Sequence, residues 1–360
     1  MDSQQLSPDE NTQSNQLLPE PEPAVKRSFW KAHLGVILVI VAVLVIGSVA
    51  AALISNHKNK PANTDSSVNT LSGNNKSTIQ SSSSTNPNNN IWKGTISDAS
   101  IPLGDGKVST TLQVGYVDSC TSSFKGGGAR HSGSWINSTA NTWDSATKPA
   151  VEGSVTWSNA SYSATTSGNS RTIQTNDLPE GYPTGNFPIS SSDPAYQYDT
   201  NPNHIAAQDI TYTLALNPTA ASAPNCLGLG PIGVLSDGVF LYNALDDAGR
   251  DAGAHEVQDS CNGHPDGSDR YHYHSVSSCI LNKATGSSTL VGFALDGYGI
   301  FVERDSKGNL PTNADLDACH GRTSQVMWNG KLTDIYHYDA TLEYPYTIGC
   351  YHGTPITTRG

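Results

Sequence analysis

Apolar and polar positions fall into three regimes along the chain. From Leu34 to Ile54 the run LGVILVIVAVLVIGSVAAALI has no charge and no polar face. A helix of that length rises about 1.5 Å per residue and spans a hydrocarbon core about 30 Å thick. Residues 1–33 are polar and include LPEPEP; residues 55–90 are rich in Ser, Asn and Thr and end in SSSSTNPNNN. Neither stretch has the apolar surface needed to fold, and the second predicts a flexible linker with ends roughly 35 Å apart. From about residue 91 the pattern alternates. KVSTTLQVGYV (Lys107–Val117), GSVTWSNASYSA (Gly153–Ala164) and ITYTLAL (Ile210–Leu216) place apolar or aromatic residues at every second position. Period two predicts half-buried strands, and clusters of Gly, Asn, Asp and Pro predict the turns between them. With no long 3.6-residue period after residue 54, the head is predicted to be mainly β.

The apolar run is predicted to be an uncleaved signal-anchor in a single-pass membrane protein. A cleaved signal peptide would have a shorter apolar region nearer the start. Lys26, Arg27 and Lys31 before the span barely outweigh Lys58 and Lys60 after it, so the positive-inside bias is slight. The cysteines decide the orientation. All six (Cys120, Cys226, Cys261, Cys279, Cys319 and Cys350) follow the span. An even set on one side points to disulfides in an oxidising compartment. The N-terminus is therefore expected in the cytoplasm and the C-terminal domain outside the cell. With no Cys-x-x-Cys pair, a cysteine zinc site has little support. The 360-residue chain has a formal charge of −12. It shows no Lys/Arg cluster of the kind that binds phosphates, which argues against a nucleic-acid partner.

The later half repeats itself. The first copy runs GVLSDGVFLYN (Gly233–Asn243), DSCNGH (Asp259–His264), RYHYH (Arg270–His274) and Cys279. The second runs GFALDGYGIFV (Gly292–Val302), DACHGR (Asp317–Arg322), IYHYD (Ile335–Asp339) and Cys350. The order of parts is the same, so two similar units are expected to pack about a pseudo-twofold axis. Pairing within units suggests Cys261–Cys279 and Cys319–Cys350, leaving Cys120–Cys226, among the 15 connectivities that six cysteines allow. The domains expected are thus a tail (1–33), a span (34–54), a linker (55–90), a β-rich lead-in (91–225), the repeat (226–353) and a short C-terminal tail (354–360).

These residues carry a family resemblance. TNDLPEGYPTGNFP (Thr175–Pro188), GPIGVLSDGVFLYN, CNGHPDGSDRYHYH, LVGFALDGYGIF and EYPYTIGCYHG (Glu343–Gly353), in that order, resemble the YHYH domain family, named for the motif at Tyr271–His274. The resemblance implies a secreted or surface domain type rather than a known reaction. The chain departs from the family pattern at Gly321-Arg322 and at Tyr336-His337-Tyr338-Asp339, where the family tends to repeat Gly-His and YHYH. It also has Glu180-Gly181-Tyr182 after Pro179, where a histidine is common.

On a strand, His272 and His274 share one face while Tyr271 and Tyr273 share the other. Imidazoles at i and i+2 can bind one metal ion. If the two repeat strands approach each other, His337 and Asp339 complete a set of three histidines and one carboxylate, suited to zinc, copper or iron. His264 and His320 could join it, and Asp237 and Asp296 are further carboxylates. Two other readings stay open: a motif serving packing alone, and metal-free acid–base chemistry with His272 or His274 as general base. G-x-S-x-G and H-E-x-x-H are both missing, which removes support for serine hydrolases and zincins. A surface binding or adhesion module is the alternative function, with Trp135, Trp143, Trp157 and Tyr182 stacking on a glycan or meeting a surface protein.

Overall fold

The computed structural model describes residues 96–357. The predicted tail, span and linker lie outside those residues. Among the described residues no helix is long and apolar enough to cross a membrane.

The lead-in forms short strands: β1 (Ile101–Pro102), β2 (Val108–Ser109), β3 (Val117–Asp118), β4 (Ile136–Asn137) and β5 (Thr142–Trp143). Longer ones follow: β6 (Tyr162–Ser167), β7 (Ser170–Thr175), β8 (Ile210–Ala215) and β9 (Ala220–Asn225). The segment Lys107–Val117, predicted as one strand, is broken into β2 and the start of β3. The chain turns at Gly115, whose φ of 77° lies in the left-handed region open to glycine.

The repeat builds one sheet. Unit one supplies β10 (Pro231–Leu235), β11 (Phe240–Tyr242), β12 (Gly263–Pro265) and β13 (Tyr271–Tyr273). Unit two supplies β14 (Ser288–Ala294), β15 (Gly299–Glu303), β16 (Gly321–Trp328) and β17 (Lys331–Asp339). A last strand, β18 (Tyr351–Gly353), pairs with β9. The eight-stranded order is β12-β13-β11-β10-β14-β15-β17-β16, so one half reads as the reverse of the other. Each unit is a hairpin whose second strand pairs in parallel with the inner strand of a second hairpin. At the centre, β10 and β14 pair antiparallel with Gly233 opposite Ala294, Val234 opposite Phe293 and Leu235 opposite Gly292. Val234 and Phe293 hold equivalent places in the two copies, so the pseudo-twofold axis passes through that pair. The hairpin turns match as well, with Gly238 and Gly297 at φ 89° and 93°.

The sheet buries both faces. Val234, Phe240, Phe293, Phe301 and Trp328 pack on one side with Ile173 and Leu214 of the three-stranded sheet β6-β7-β8. The Arg171 guanidinium lies 3.9 Å from the Phe293 ring centroid and 4.7 Å from that of Trp328. Leu241, Tyr271, Tyr273, Ile300, Tyr336 and Tyr338 belong to the larger core on the other side. Three disulfides close, Cys120–Cys226, Cys261–Cys279 and Cys319–Cys350, and no cysteine is free. Two of them lie inside a unit, and the third ties the lead-in to the start of the repeat.

Glycine is required at the axis. A Cβ on Gly292 would lie 2.7 Å from the Val234 carbonyl oxygen, and one on Gly233 would lie 2.8 Å from that of Phe293. Gly292→Ala is expected to cost about 1–3 kcal/mol through overpacking, read as a lowered denaturation midpoint. Gly228→Ala, where nothing lies within 4 Å, is expected to stay within about 0.5 kcal/mol of the parent.

Candidate metal centre

The tyrosines of the motif explain its alternation. Tyr271 Oη donates to Asp259 at 2.7 Å and Tyr273 Oη donates to Asp237 at 2.8 Å. In the second unit Tyr336 donates to Asp317 at 3.0 Å and Tyr338 to Asp296 at 2.6 Å. Each aspartate also accepts turn N–H groups: Asp259 from Cys261 and Gly263, Asp317 from Cys319 and Gly321. Asp237 and Asp296, expected as possible ligands, are thus occupied in holding their turns and tyrosines. Burial pushes the Asp237 carboxyl up to about 6, against the pull of Tyr273.

With the tyrosines pinned to one face, His272 and His274 project from the other. His264 faces His272 across the β12–β13 ladder. The His272 and His274 Nε2 atoms are 3.2 Å apart. His272 Nδ1–H donates to the Arg270 carbonyl at 3.2 Å, and His274 Nδ1–H donates to the Asn243 carbonyl. A carbonyl can only accept, so each neutral ring carries its proton on Nδ1 and points a lone pair from Nε2. For neutral rings two lone pairs then face each other in a buried site, an arrangement relieved by a proton on one Nε2 or by a bound cation.

The fourth member is Glu256. Its Oε2 lies 3.2 Å from His264 Nε2 and 3.1 Å from His274 Nε2. Neither Glu256 Oε2 nor His264 Nε2 has an aligned hydrogen-bond partner, although both are buried. Buried polar atoms left without an aligned partner are costly unless something binds them. All four residues are at most 6% exposed. Burial drives His272 well below the ordinary histidine range, and nearby His264 and His274 add to the effect. Burial alone would raise Glu256, but the imidazoles of His264 and His274 outweigh it and hold the carboxylate ionised. Glu256 in turn raises His264 against the lowering effect of burial, so an ion entering here would displace a proton from that pair.

Surrounding groups fix these donors, as is usual around metal ligands. Tyr242 stacks on His272 with ring centroids 3.9 Å apart, and its hydroxyl donates to Asp266, itself paired with Arg270 at 2.7 Å. Glu256 ends the helical turn Ala252–His255. That turn is capped by Asp251, which also accepts from Tyr346 Oη and the Gly104 N–H. Lys148 Nζ donates to the Gly253 carbonyl at 2.6 Å in the same turn. The centre opens onto a cleft of about 770 Å³, with Arg130, Asn203, Asp247 and Arg270 among its walls.

The two units do not share one centre. β13 and β17 are separated by β11, β10, β14 and β15, roughly 24 Å at about 4.8 Å per ladder step. The expected set of His272, His274, His337 and Asp339 is therefore divided, because the axis runs through the middle strands and leaves the histidine strands far from it. His337 and Asp339 instead group with Glu303. His320 joins neither set: its Nδ1–H donates to the Thr347 carbonyl at 2.7 Å, and burial lowers it to about 4. Of the aromatic residues expected to face a glycan, Trp135 and Trp143 are in the core. Trp157 and Tyr182 are half-buried. Glu256 escaped the sequence reading because it lies outside both repeated motifs; the Asp251 cap and the adjacent His255-Glu256 were the available signal.

A model of the family described as YHYH protein matches residues 211–311. This supports the resemblance to the YHYH domain family, and that segment is a YHYH domain. The matched stretch contains Glu256, His264, His272 and His274 and stops before Arg322, His337 and Asp339. No curated protein and no solved structure matches the chain.

The raised Asp237 has a signed consequence. Below about pH 4 its carboxyl is protonated both folded and unfolded. Between about pH 4 and 6 it ionises on unfolding but resists ionising in the fold, so stability falls as pH rises, by about 3 kcal/mol in all. Asp237→Asn cannot ionise. The variant's unfolding free energy minus that of the parent should therefore rise by about 3 kcal/mol from pH 3 to pH 7, measured by urea unfolding with disulfides intact.

Proposed function

We propose that the head is a mononuclear metal-binding domain held outside the cell by the Leu34–Ile54 span. Its ion lies among Glu256, His264, His272 and His274 and faces the cleft. The observation that carries this reading is the convergence of the His264, His272 and His274 imidazoles, with the His272 and His274 Nε2 atoms 3.2 Å apart, their Nδ1–H groups committed elsewhere, and a Glu256 oxygen within 3.2 Å of His264 and His274. Donors around one first-row ion lie at about this mutual spacing, since each sits about 2.0–2.2 Å from it. Three imidazoles and a carboxylate suit zinc, copper or iron. When bound, such an ion polarises an oxygen ligand and acidifies bound water. The chain's own part is to exclude water from the buried side, hold each ring by its Nδ1–H and leave the cleft side open. An open side suits a centre that meets a ligand rather than one that only staples the fold. A glycan-binding surface has less behind it, since Trp135 and Trp143 are in the core.

Three closed disulfides and no free cysteine support an oxidising compartment. Protease added to intact cells should remove the head while the N-terminal tail stays protected. A head that survives such treatment, yet is cut after lysis, would overturn the placement.

Metal content tests the centre directly. The purified full chain should carry one transition-metal ion, read by elemental analysis after excess metal is removed. His272→Ala with His274→Ala should reduce this below a tenth, and Glu256→Gln should weaken affinity at least about tenfold. A parent chain that takes up no zinc, copper or iron would sink the proposal.

A further inference from the structure

The second unit repeats the geometry of the first with one donor exchanged for a cation. Arg322 faces His337 across β16–β17 as His264 faces His272 across β12–β13. By the same register His337 stands for His272, and Asp339 for His274. His337 Nδ1–H donates to the Ile335 carbonyl two residues back at 3.0 Å, repeating the bond from His272 to Arg270. Its Nε2 then points to Glu303 Oε2 at 3.5 Å and Asp339 Oδ1 at 3.8 Å. Glu303 takes the role of Glu256 from a different element, the end of β15.

Into this set of donors the guanidinium of Arg322 enters. Its Nη2 is 2.7 Å from Glu303 Oε2 and its Nε is 2.9 Å from Asp339 Oδ2. The Asp339 side chain is fully buried, and neither of its oxygens has an aligned hydrogen bond. A carboxylate so placed needs a positive charge beside it. Among the described residues no Arg or Lys makes an ion pair with Glu256, the carboxylate of the first set. The two halves therefore meet the same electrostatic demand differently, one with a diffusible ion and one with a tethered cation.

We infer that Arg322 is a built-in counter-ion standing where a metal would bind the duplicated centre. The protein then takes one transition-metal ion rather than two. Replacing Arg322 by the histidine that occupies the matching position 264 opens the second centre to a divalent ion of the zinc class, with Glu303, His337, Asp339 and the new imidazole as donors. The inference does not depend on occupancy of the first centre, and the test separates them.

Four forms of the full chain are equilibrated with zinc, freed of excess, and analysed for zinc per chain. They are the parent, Arg322→His, the double variant His272→Ala/His274→Ala, and all three substitutions together. The expected contents are one, two, none and one. Zinc on the triple variant alone carries the inference even if the parent binds none, a result that would remove only the first-centre reading. Two ions on the parent, or no gain on Arg322→His in either background with disulfides and circular dichroism intact, would overturn it. If the histidine variant fails to fold, Arg322→Ala in the double-alanine background is used instead. Its thermal midpoint should rise by several degrees on adding zinc, and the midpoint of the double variant should not; equal responses would overturn the inference.

Discussion

Four hydrogen bonds from tyrosine hydroxyls to aspartates, three of them buried, underlie everything else in this sheet. Tyr271, Tyr273, Tyr336 and Tyr338 reach Asp259, Asp237, Asp317 and Asp296 across the larger core. Each aspartate is at once an acceptor for a tyrosine and a cap for a turn, so strand and turn cannot shift independently. Cutting one partner would strand a buried carboxylate or hydroxyl, at about 1–3 kcal/mol or more for a charged group. Because side chains alternate along a strand, pinning the tyrosines inward sends the histidines to the opposite face. The motif's alternation is therefore one device with two faces, a structural one and a chemical one.

The chemical face poses an electrostatic problem twice. Burying imidazoles with a carboxylate concentrates lone pairs and negative charge where water cannot answer them. In the first unit the Nδ1–H groups are tied to the Arg270 and Asn243 carbonyls, which leaves the Nε2 lone pairs in want of a proton or a bound cation. In the second unit Arg322 supplies positive charge from within the chain. Even so, burial lifts Asp339 to about 7, the first effect among several, with Arg322 and His337 opposing it. The pseudo-symmetry makes the contrast sharp, since backbone register, ring tether and tyrosine anchors are the same and only a few side chains differ.

Much of this was legible along the chain. Period-two alternation marked β8 but only the start of β6 within Gly153–Ala164, and it did not mark β7; the repeated order of Asp-Gly, cysteine and aromatic elements indicated two units and their disulfide pairs. The tyrosine and histidine faces of Tyr271–His274 followed from strand geometry alone. The strand expected over Lys107–Val117 did not form as one piece, because alternation there competes with the turn at Gly115. Asp237 and Asp296 read as turn residues or further candidate carboxylates, since no local pattern reveals a tyrosine hydroxyl arriving from 36 and 42 residues away.

What the sequence by itself determined is the inventory: a β head, two copies of one unit, cysteines paired within and before them, and histidines on the face opposite the tyrosines. Those features arise from local periodicity and self-similarity, which a chain carries in one dimension. Only the tertiary structure decided where the axis falls. Running it through Val234 and Phe293 sets the two histidine strands far apart, so each unit completes its own centre. It also decided that Glu256, from outside the repeated motifs, reaches His264 and His274 while Arg322 pairs with Glu303 and Asp339 in the other set. Convergence of side chains from separate segments depends on sheet order and ladder register, and neither is written in any local stretch.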